Sequence, residues 1–253
     1  MSSKRILITG MSGLIGGAVR KRLEGSYDLR ALNRRRVPGV ESFSADISDL
    51  EAIRPAFEGV DQVVHLAAIV QVAGGWENIL QYNIEGTYNV FEAARQAGVK
   101  RVIFASSGST ISNWERTAPY DAVVEGRHPG TWEPLDHESP VRPTELYGCS
   151  KVWGEALARH FSDAYGMSMI CIRIGHVSES DRPESDRDFS VWCSQRDISQ
   201  MIQRCIDAPS DLDFEIFYAV SNNKWSYRDI EHARATIGYV PADSADDHRN
   251  ESS

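Results

Sequence analysis

The chain has 253 residues, of which 42% are hydrophobic and 25% charged, and these globular proportions exclude a disordered, collagenous or coiled-coil protein. Its formal net charge of −9 opposes binding to phosphate backbones, so we expect no nucleic-acid partner. No segment approaches the roughly 20 apolar residues of a membrane span, and the first residues lack the apolar stretch of a signal peptide. The sequence therefore predicts a cytoplasmic protein with no membrane partner.

Short β-rich segments alternate with segments of helical periodicity along most of the chain. Strands are predicted at 5–9, 28–32, 41–45, 60–66, 101–105 and 169–174, and helices at 13–24, 48–57, 76–97 and 143–165. Ser48 is predicted to cap the second helix, with Glu51 completing a capping box. Because repeated β-then-α units give parallel strands joined by crossover helices, the pattern predicts an α/β fold with a doubly wound parallel sheet of the Rossmann type.

Two irregular stretches interrupt this alternation. The segment 108–142 is rich in proline, glycine and aromatic residues, which predicts a long loop over the site. The segment 176–193 is irregular and charged. We therefore expect a dinucleotide-binding Rossmann domain at 1–175 and a small C-terminal substrate-binding lobe at 176–240, followed by a flexible tail at 241–253.

The sharpest motif is the glycine-rich turn TGMSGLIG between the first strand and the first helix. Gly10 allows a tight turn, Gly13 lets the backbone approach a pyrophosphate, and Gly16 lets the helix pack on the strand. The helix N-terminus adds free N–H groups and a partial positive charge for that anion. The turn therefore predicts a dinucleotide site, with contacts from Gly10, Ser12, Gly13, Leu14, Ile15 and Gly16.

The choice between NAD and NADP depends on the end of the second strand. Asn33 stands where an acid commonly binds the adenosine ribose, and the arginines 34–36 follow, beginning with Arg34. Loss of the acid removes repulsion against a 2′-phosphate, and guanidinium groups pair well with one, which favours NADP. Alternatively, Asn33 bonds the ribose hydroxyls of NAD and the arginines are solvated. Further cofactor contacts are expected at Asp46, Ile47, Leu66, Ala67, Ala68 and Ile174.

A tyrosine and a lysine lie four residues apart, on one face of the predicted helix at 143–165. Tyrosine has an ordinary pKa near 10, too high for a base at neutral pH. The Lys151 ammonium and a cationic nicotinamide would both favour the Tyr147 phenolate and lower that pKa. Ser106 and Ser107 lie at the carboxyl end of the fifth strand, where ligands bind in such folds, and a hydroxyl there can hold a substrate oxygen.

With the motifs TGMSGLIG, HLAA, QYNIEGTYNVFEAA, FASS and YGCSK, the chain resembles the extended short-chain dehydrogenase/reductase family of the NAD-dependent epimerase/dehydratase type. The resemblance implies that Tyr147 is the catalytic base and that Lys151 is its electrostatic partner and a ribose contact. It also implies that Ser107 bonds the substrate hydroxyl and that Asn83 supports the lysine through water.

The same resemblance implies a homodimer formed through the helices near 76–97 and 143–165. Within the family the chain most resembles the uronate dehydrogenases, which oxidise C1 of a hexuronate to a lactone. The shared features are the FASSxxTI segment, the strand end Ile172–Gly175 and the turn WCS before Asp197. Roughly 75 residues follow Gly175, which suits a small free sugar better than a nucleotide sugar. Substrate contacts are expected at Ser107, Gly108, Ser109 and His176.

The sequence indicates less clearly which residue would bind the carboxylate of the substrate. The uronate dehydrogenases carry an arginine four positions before the tryptophan that clamps the carboxylate, and Asp188 stands at that position here. Arg187 is adjacent, so a one-residue shift of the loop would make it a bidentate anchor. The alternative is that this loop is a solvated, charged surface.

The predicted function is therefore NAD- or NADP-dependent oxidation of C1 of a free sugar, a hexuronate, to a lactone, with Tyr147 as base. One alternative is a nucleotide-sugar epimerase or reductase. Another is a redox sensor that binds NADP without catalysis, although such relatives lack the tyrosine or lysine that this chain keeps. The histidines are scattered, with no paired arrangement, so no metal site is expected.

Overall fold

A seven-stranded sheet forms the centre of the computed structural model, which describes residues 3–70, 75–127 and 129–251. The strands are β1 Arg5–Thr9, β2 Asp28–Asn33, β3 Glu41–Ser44, β4 Gln62–His65, β5 Arg101–Ser107, β6 Ser168–Ile174 and β7 Phe214–Ala219. They lie in the order β3-β2-β1-β4-β5-β6-β7, and every neighbouring pair is parallel. The predicted doubly wound Rossmann sheet is confirmed. Its strand order reverses at β1 and β4, where such sheets bind ligands beyond the strand ends.

Helices cover both faces of this sheet. They are α1 Leu14–Leu23, α2 Leu50–Ile53, α3 Gly75–Asn78, α4 Gly86–Gln96, α5 Tyr120–Val124, α6 Leu146–Tyr165, α7 Asp188–Val191, α8 Gln195–Asp207 and α9 Glu231–Ile237. A π-helical stretch, Ile79–Glu85, joins α3 to α4, and 3-10 helices span Arg54–Phe57, Gly108–Arg116 and Ala245–Glu251. Within the described residues, no helix has both the length and the apolar character needed to cross a membrane.

The core lies in two layers because successive side chains of a strand point to opposite faces. In β1, Ile6 and Ile8 belong to the hydrophobic cluster that includes residues of α1 and α8. Leu7, between them, belongs to the cluster that includes residues of α4 and α6. All three side chains are fully buried, as expected for a parallel sheet covered on both faces.

The predicted capping box at the second helix is wrong. Asp49 is the N-cap residue, and its carboxylate accepts a hydrogen bond from the Ala52 N–H at 3.1 Å. The Ser48 hydroxyl instead donates to Asp46 Oδ1 at 2.8 Å. Because Asp46 engages Ser48 before the helix begins, the cap moves one residue towards the C-terminus.

Strand β7 and helix α8 were not predicted, and both belong to the sheet layers. β7 pairs with β6, and α8 packs against α1, so part of the segment 176–240 completes the central domain. The start of the expected tail is also packed, since Ala245 is buried and its N–H donates to Asn223 at 2.9 Å. A division of the chain at residue 175 into separate domains stays a prediction.

The long segment 108–142 packs on the C-terminal part of the chain. Its 3-10 helix and α5 form a hydrophobic cluster with residues from α7, β7 and the loop before α9. The buried members of this cluster are Ile111, Tyr120, Val123, Leu135, Val191, Tyr218 and Tyr227. The segment is therefore held in place beside the carboxyl edge of the sheet.

Candidate active site

A cavity of about 460 Å³ opens at the carboxyl edge of the sheet and brings most of the predicted site together. Of the predicted residues, Gly10, Gly13, Leu14, Ile15, Gly16, Leu66, Ala68, Ser107, Gly108, Ser109, Tyr147, Lys151, Ile174, His176 and Arg187 line it. The described lining leaves out Ser12, Asn33, Arg34, Asp46, Ile47, Ala67 and Asn83. One cavity thus joins the glycine-rich turn to the tyrosine, lysine and serine and to the proposed substrate contacts.

The glycine-rich turn brings three backbone segments closer than side chains would allow. Gly10 has a φ of +74°, and a Cβ there would lie 2.9 Å from the backbone nitrogen of Ala67. A Cβ on Gly16 would lie 2.4 Å from the Gly10 carbonyl oxygen. Gly13, which has no side chain to cap α1, leaves its first N–H groups available to a ligand. These features fit the pyrophosphate of a dinucleotide.

Asn33 supports this turn from the end of β2. Its Oδ1 accepts a hydrogen bond from the Met11 N–H at 3.1 Å, and its Nδ2 donates to Ser12 Oγ at 2.8 Å. The next residue, Arg34, is exposed and its guanidinium lies 5.6 Å from the centroid of the Tyr82 ring. The end of β2 therefore carries exposed positive charge and a neutral amide whose polar atoms already bind the turn.

The other predicted cofactor contacts outside the lining support neighbouring backbone. Asp46 accepts hydrogen bonds from Ser48, and the buried Ile47 packs against Gly86, where a Cβ would lie 2.7 Å from its side chain. The Ala67 N–H donates to Thr9 Oγ1 at 3.2 Å. These contacts hold the loops that follow β3 and β4 against α4 and β1.

The tyrosine, lysine and serine meet at one end of the cavity. α6 presents Tyr147 and Lys151 on the same face, and Ser107, at the end of β5, makes a side-chain hydrogen bond with Tyr147. Lys151 Nζ donates to the carbonyl of Ala105 at 2.7 Å and lies 5.6 Å from the centroid of the Tyr147 ring. The helical spacing predicted from the sequence therefore produces a compact polar group.

Burial shifts the two titratable groups in opposite directions. It raises the pKa of Tyr147 to about 12, although the hydrogen bond from Ser107 acts against this increase. Burial lowers the pKa of Lys151 to about 7. At neutral pH the free protein therefore holds Tyr147 protonated, and a further positive charge beside the ring is needed to favour the phenolate.

Asn83 lies in the π-helical stretch and connects a loop to α6. Its Oδ1 accepts from the Ile69 N–H at 2.8 Å, and its Nδ2 donates to the Ile69 carbonyl at 2.9 Å and to Ser150 Oγ at 3.1 Å. Ser150 is the residue before Lys151, so Asn83 positions the backbone that carries the lysine. The predicted support of Lys151 through water stays a prediction.

A buried ionic network fixes α6 against the sheet behind the cavity. Glu155, one turn after Lys151, receives a hydrogen bond from Ser106 Oγ at 2.6 Å and two bonds from the Arg173 guanidinium at 2.9 Å. Arg173 also donates to the Tyr218 hydroxyl at 2.9 Å. Every charge in this network is paired, as a buried arrangement requires.

Arg187 lines the cavity but is bound to a carboxylate of the protein itself. Its Nε and Nη2 donate to the two oxygens of Glu115 at 2.6 and 2.7 Å. Burial opposes ionisation of Glu115, but the bond and charge of Arg187 and the charge of Arg228 hold its pKa below the ordinary value. His176 is likewise paired, with its Nδ1 2.6 Å from Asp188 Oδ1, which raises the pKa of the imidazole.

Arg228 is a lining residue that the sequence did not indicate. Its side chain is 1% exposed, and its guanidinium covers Gly108, where a Cβ would lie 2.3 Å from Nη2. Among the described residues, its Nε and Nη1 have no hydrogen-bond partner, while Nη2 donates to the Tyr227 hydroxyl at 3.3 Å. No motif marks this position, because its contact with the cavity joins segments 120 residues apart, at 108 and 228.

The chain is similar to known proteins over nearly its whole length. The model of the NAD dependent epimerase/dehydratase family matches residues 6–192. A NAD-dependent glucose-6-phosphate dehydrogenase of Haloferax volcanii is 35% identical, over 95% of this chain and 94% of that protein. A uronate dehydrogenase of Pseudomonas putida is 35% identical, over 97% of this chain and 86% of that protein.

Solved structures agree with these relatives. The crystal structure of uronate dehydrogenase from Agrobacterium tumefaciens has a TM-score of 0.83 and 33% sequence identity, covering 99% of this chain and 89% of that chain. The family model matches most of the chain, and the two relatives are 35% identical to it over most of their own lengths. The chain belongs to the NAD-dependent epimerase/dehydratase family.

Proposed function

We propose that this protein is a dehydrogenase that oxidises C1 of a free sugar, a hexuronate, to a lactone. The observation that carries the proposal is the single cavity in which Ser107, Tyr147 and Lys151 face the glycine-rich turn. The similarity to a uronate dehydrogenase and to a glucose-6-phosphate dehydrogenase supports a sugar as substrate.

The residues of the cavity fit the cofactor that the family uses. The turn at Gly10–Gly16 and the N-terminus of α1 would hold the pyrophosphate, and Lys151 would contact the ribose beside Tyr147. When bound, the oxidised nicotinamide ring supplies a positive charge and accepts the hydride that leaves C1 of the sugar.

The protein's own groups manage the proton and the oxygen of the substrate. The Ser107 hydroxyl bonds the anomeric oxygen and orients it towards Tyr147, which takes the hydroxyl proton as general base. Positive charge beside the ring favours the phenolate and opposes the effect of burial on the Tyr147 pKa. The sugar thereby loses one hydride and one proton, and the C1–O single bond becomes the carbonyl of the lactone.

We propose that NADP is bound in preference to NAD. Two features support a contact with a 2′-phosphate. The arginines 34–36 are exposed, and position 33 holds a neutral asparagine instead of an acid. The Asn33 amide holds the turn through Met11 and Ser12, and the second N–H of its Nδ2 could still bond the ribose hydroxyls of NAD, which is the alternative to a 2′-phosphate contact. Parallel assays with the two cofactors test this preference.

Two alternative functions receive less support. A nucleotide-sugar epimerase is disfavoured because a glucose-6-phosphate dehydrogenase and a uronate dehydrogenase, neither of them named for a nucleotide sugar, match this chain over 94% and 86% of their lengths. A non-catalytic redox sensor is disfavoured because Tyr147 and Lys151 both line the cavity together with Ser107.

We also propose a homodimer formed through α4 and α6 and the segment before α4. Large apolar side chains are exposed there, including Leu80 at 43%, Tyr88 at 45% and Tyr165 at 49%. Tyr88 and Tyr165 both pack against Phe161, so they belong to one surface. A mass in solution of about twice the 28.2 kDa chain supports the dimer, and the mass of a single chain contradicts it.

The proposed function is tested by Tyr147→Phe, which removes the base and little else. We expect turnover of galacturonate or glucuronate to fall by about 10²–10⁴-fold, the usual contribution of a general base. Cofactor affinity, measured by calorimetry, should stay within about twofold of the wild type. Tyr27→Phe is the matched control, because it removes a tyrosine hydroxyl that bonds Asp207, outside the described lining of the cavity and outside the proposed dimer surface. Turnover retained in Tyr147→Phe would overturn the assignment.

A further inference from the structure

We propose that Arg228 binds an anionic group of the substrate, a carboxylate or a phosphate on the carbon distant from C1. Arg187, the arginine that the sequence favoured, is instead held by Glu115. This inference rests on the proposed oxidation of a sugar and adds the residue that selects an acidic sugar.

The Arg228 guanidinium has hydrogen-bond donors that could bind an anion. The side chain is 1% exposed and lines the cavity, yet Nε and Nη1 have no hydrogen-bond partner among the described residues. A buried cation with unsatisfied donors is costly, and arginine offers donors in the planar arrangement that carboxylates and phosphates accept. An anion within the cavity would satisfy these donors.

Glu115 binds Arg187 more closely than it binds Arg228. Arg187 donates to both Glu115 oxygens, at 2.6 and 2.7 Å. The nearest approach of Arg228 to the same carboxylate is 3.8 Å, from Nη2 to Oε1. Two arginines therefore face one carboxylate, which leaves these three groups with a net positive charge.

The position of Arg228 suits a sugar held at Ser107. Its guanidinium covers Gly108, the residue after Ser107, and any side chain at Gly108 would overlap it, since a Cβ would lie 2.3–2.4 Å from the guanidinium atoms. Ser107, Tyr147 and Arg228 line the same cavity. A sugar whose C1 oxygen bonds Ser107 can thus present an anionic group to Arg228.

The test compares acidic and neutral sugars in Arg228→Met. For galacturonate, glucuronate and glucose 6-phosphate, we expect kcat/KM to fall about ten- to hundredfold, the usual effect of losing a charged hydrogen bond. The values for galactose and glucose should change by less than about threefold. Comparison of the uronates with the phosphorylated sugar shows which anion the site prefers. Equal losses for acidic and neutral sugars would overturn the proposal.

Two further variants keep the test interpretable. Arg228→Lys retains the charge and should keep more of the preference for acidic sugars than Arg228→Met, which separates loss of charge from faulty folding. Arg234→Met is the matched control, because it removes an arginine that is outside the described lining, on α9, where it pairs with Glu231. A loss of preference in Arg234→Met equal to that in Arg228→Met would contradict the role of Arg228.

Equilibrium binding separates this inference from the proposed reaction. Galacturonate and glucose 6-phosphate are titrated into wild-type protein and Arg228→Met, each saturated with the reduced cofactor, which cannot accept a hydride, so that binding is measured without turnover. If the variant binds the sugars more weakly than the wild type, and the wild type shows no turnover, the anion site is supported and the reaction is refuted. Equal binding to both proteins would overturn the anion site, whatever the turnover.

Discussion

Burial controls the chemistry of the individual residues at the proposed site. The pKa of Tyr147 is raised to about 12 and that of Lys151 is lowered to about 7, both chiefly through loss of water. Each group alone therefore favours its neutral form. An ionised Tyr147 would favour a charged Lys151, because opposite charges at short distance stabilise each other.

Lys151→Met should flatten the dependence of stability on pH. Between about pH 7, the pKa of the folded state, and about pH 10.4, its ordinary value, the unfolded chain binds a proton that the native protein has lost. The wild type therefore gains stability as pH rises through this window, by up to about 1.4 kcal/mol per pH unit. Without the lysine this gain disappears.

The measurement is the free energy of unfolding in urea at several pH values from 7 to 10. Lys21→Met is the matched control, because Lys21 is an exposed lysine of α1 and should leave the slope unchanged. If Lys151→Met followed the wild-type curve in parallel, the lowered pKa of Lys151 would be refuted.

Local spacing predicted some residues of the site and missed others. Tyr147 and Lys151 lie four residues apart, which places them on one helical face whatever surrounds the helix. The pairing of Arg187 with Glu115 joins residues 72 positions apart, and no local pattern encodes it. Arg228 was missed for the same reason, since only tertiary packing brings it over Gly108.

At the scale of elements, the junction between β1 and α1 has the strictest geometry. Gly16→Ala would place a Cβ 2.4 Å from the Gly10 carbonyl oxygen, so the turn must shift. We expect cofactor affinity to fall at least about tenfold and stability by about 1–3 kcal/mol. Calorimetric titration of the cofactor and urea unfolding measure the two effects.

Gly17→Ala, one residue along the same helix, is the matched control. A Cβ there would meet no described atom within 4 Å, so the substitution should raise stability by up to about 1 kcal/mol through helix propensity. Cofactor affinity should be unchanged. Similar losses in both variants would mean that close packing at Gly16 does not explain the motif.

The elements that the sequence predicted are those with strong local patterns. β1, β4, β5 and β6 are short apolar strands, and α1, α4 and α6 have clear helical periodicity, so these elements could be recognised. β7 was missed because Glu215 interrupts its apolar pattern and the strand lies at the edge of the sheet. Its place is determined by pairing with β6, a contact between segments about 45 residues apart.

At the scale of the whole molecule, the cavity is assembled from distant parts of the chain. One part of its lining comes from the glycine-rich turn and α6, and another part from Gly108, Ser109, Arg187 and Arg228. The alternation of strands and helices predicted the sheet that carries the first group. The second group is positioned by the cluster that packs the segment 108–142 on the C-terminal residues, which the sequence alone did not reveal.

Oxidation of a free uronate at C1 is tested most directly by absorbance at 340 nm, where the reduced cofactor absorbs. Purified protein is mixed with galacturonate or glucuronate and with NAD or NADP in parallel. We predict a rise in absorbance with at least one uronate, faster with NADP if the arginines 34–36 contact the 2′-phosphate. No rise with either uronate, in protein shown by calorimetry to bind the cofactor, would contradict the claim.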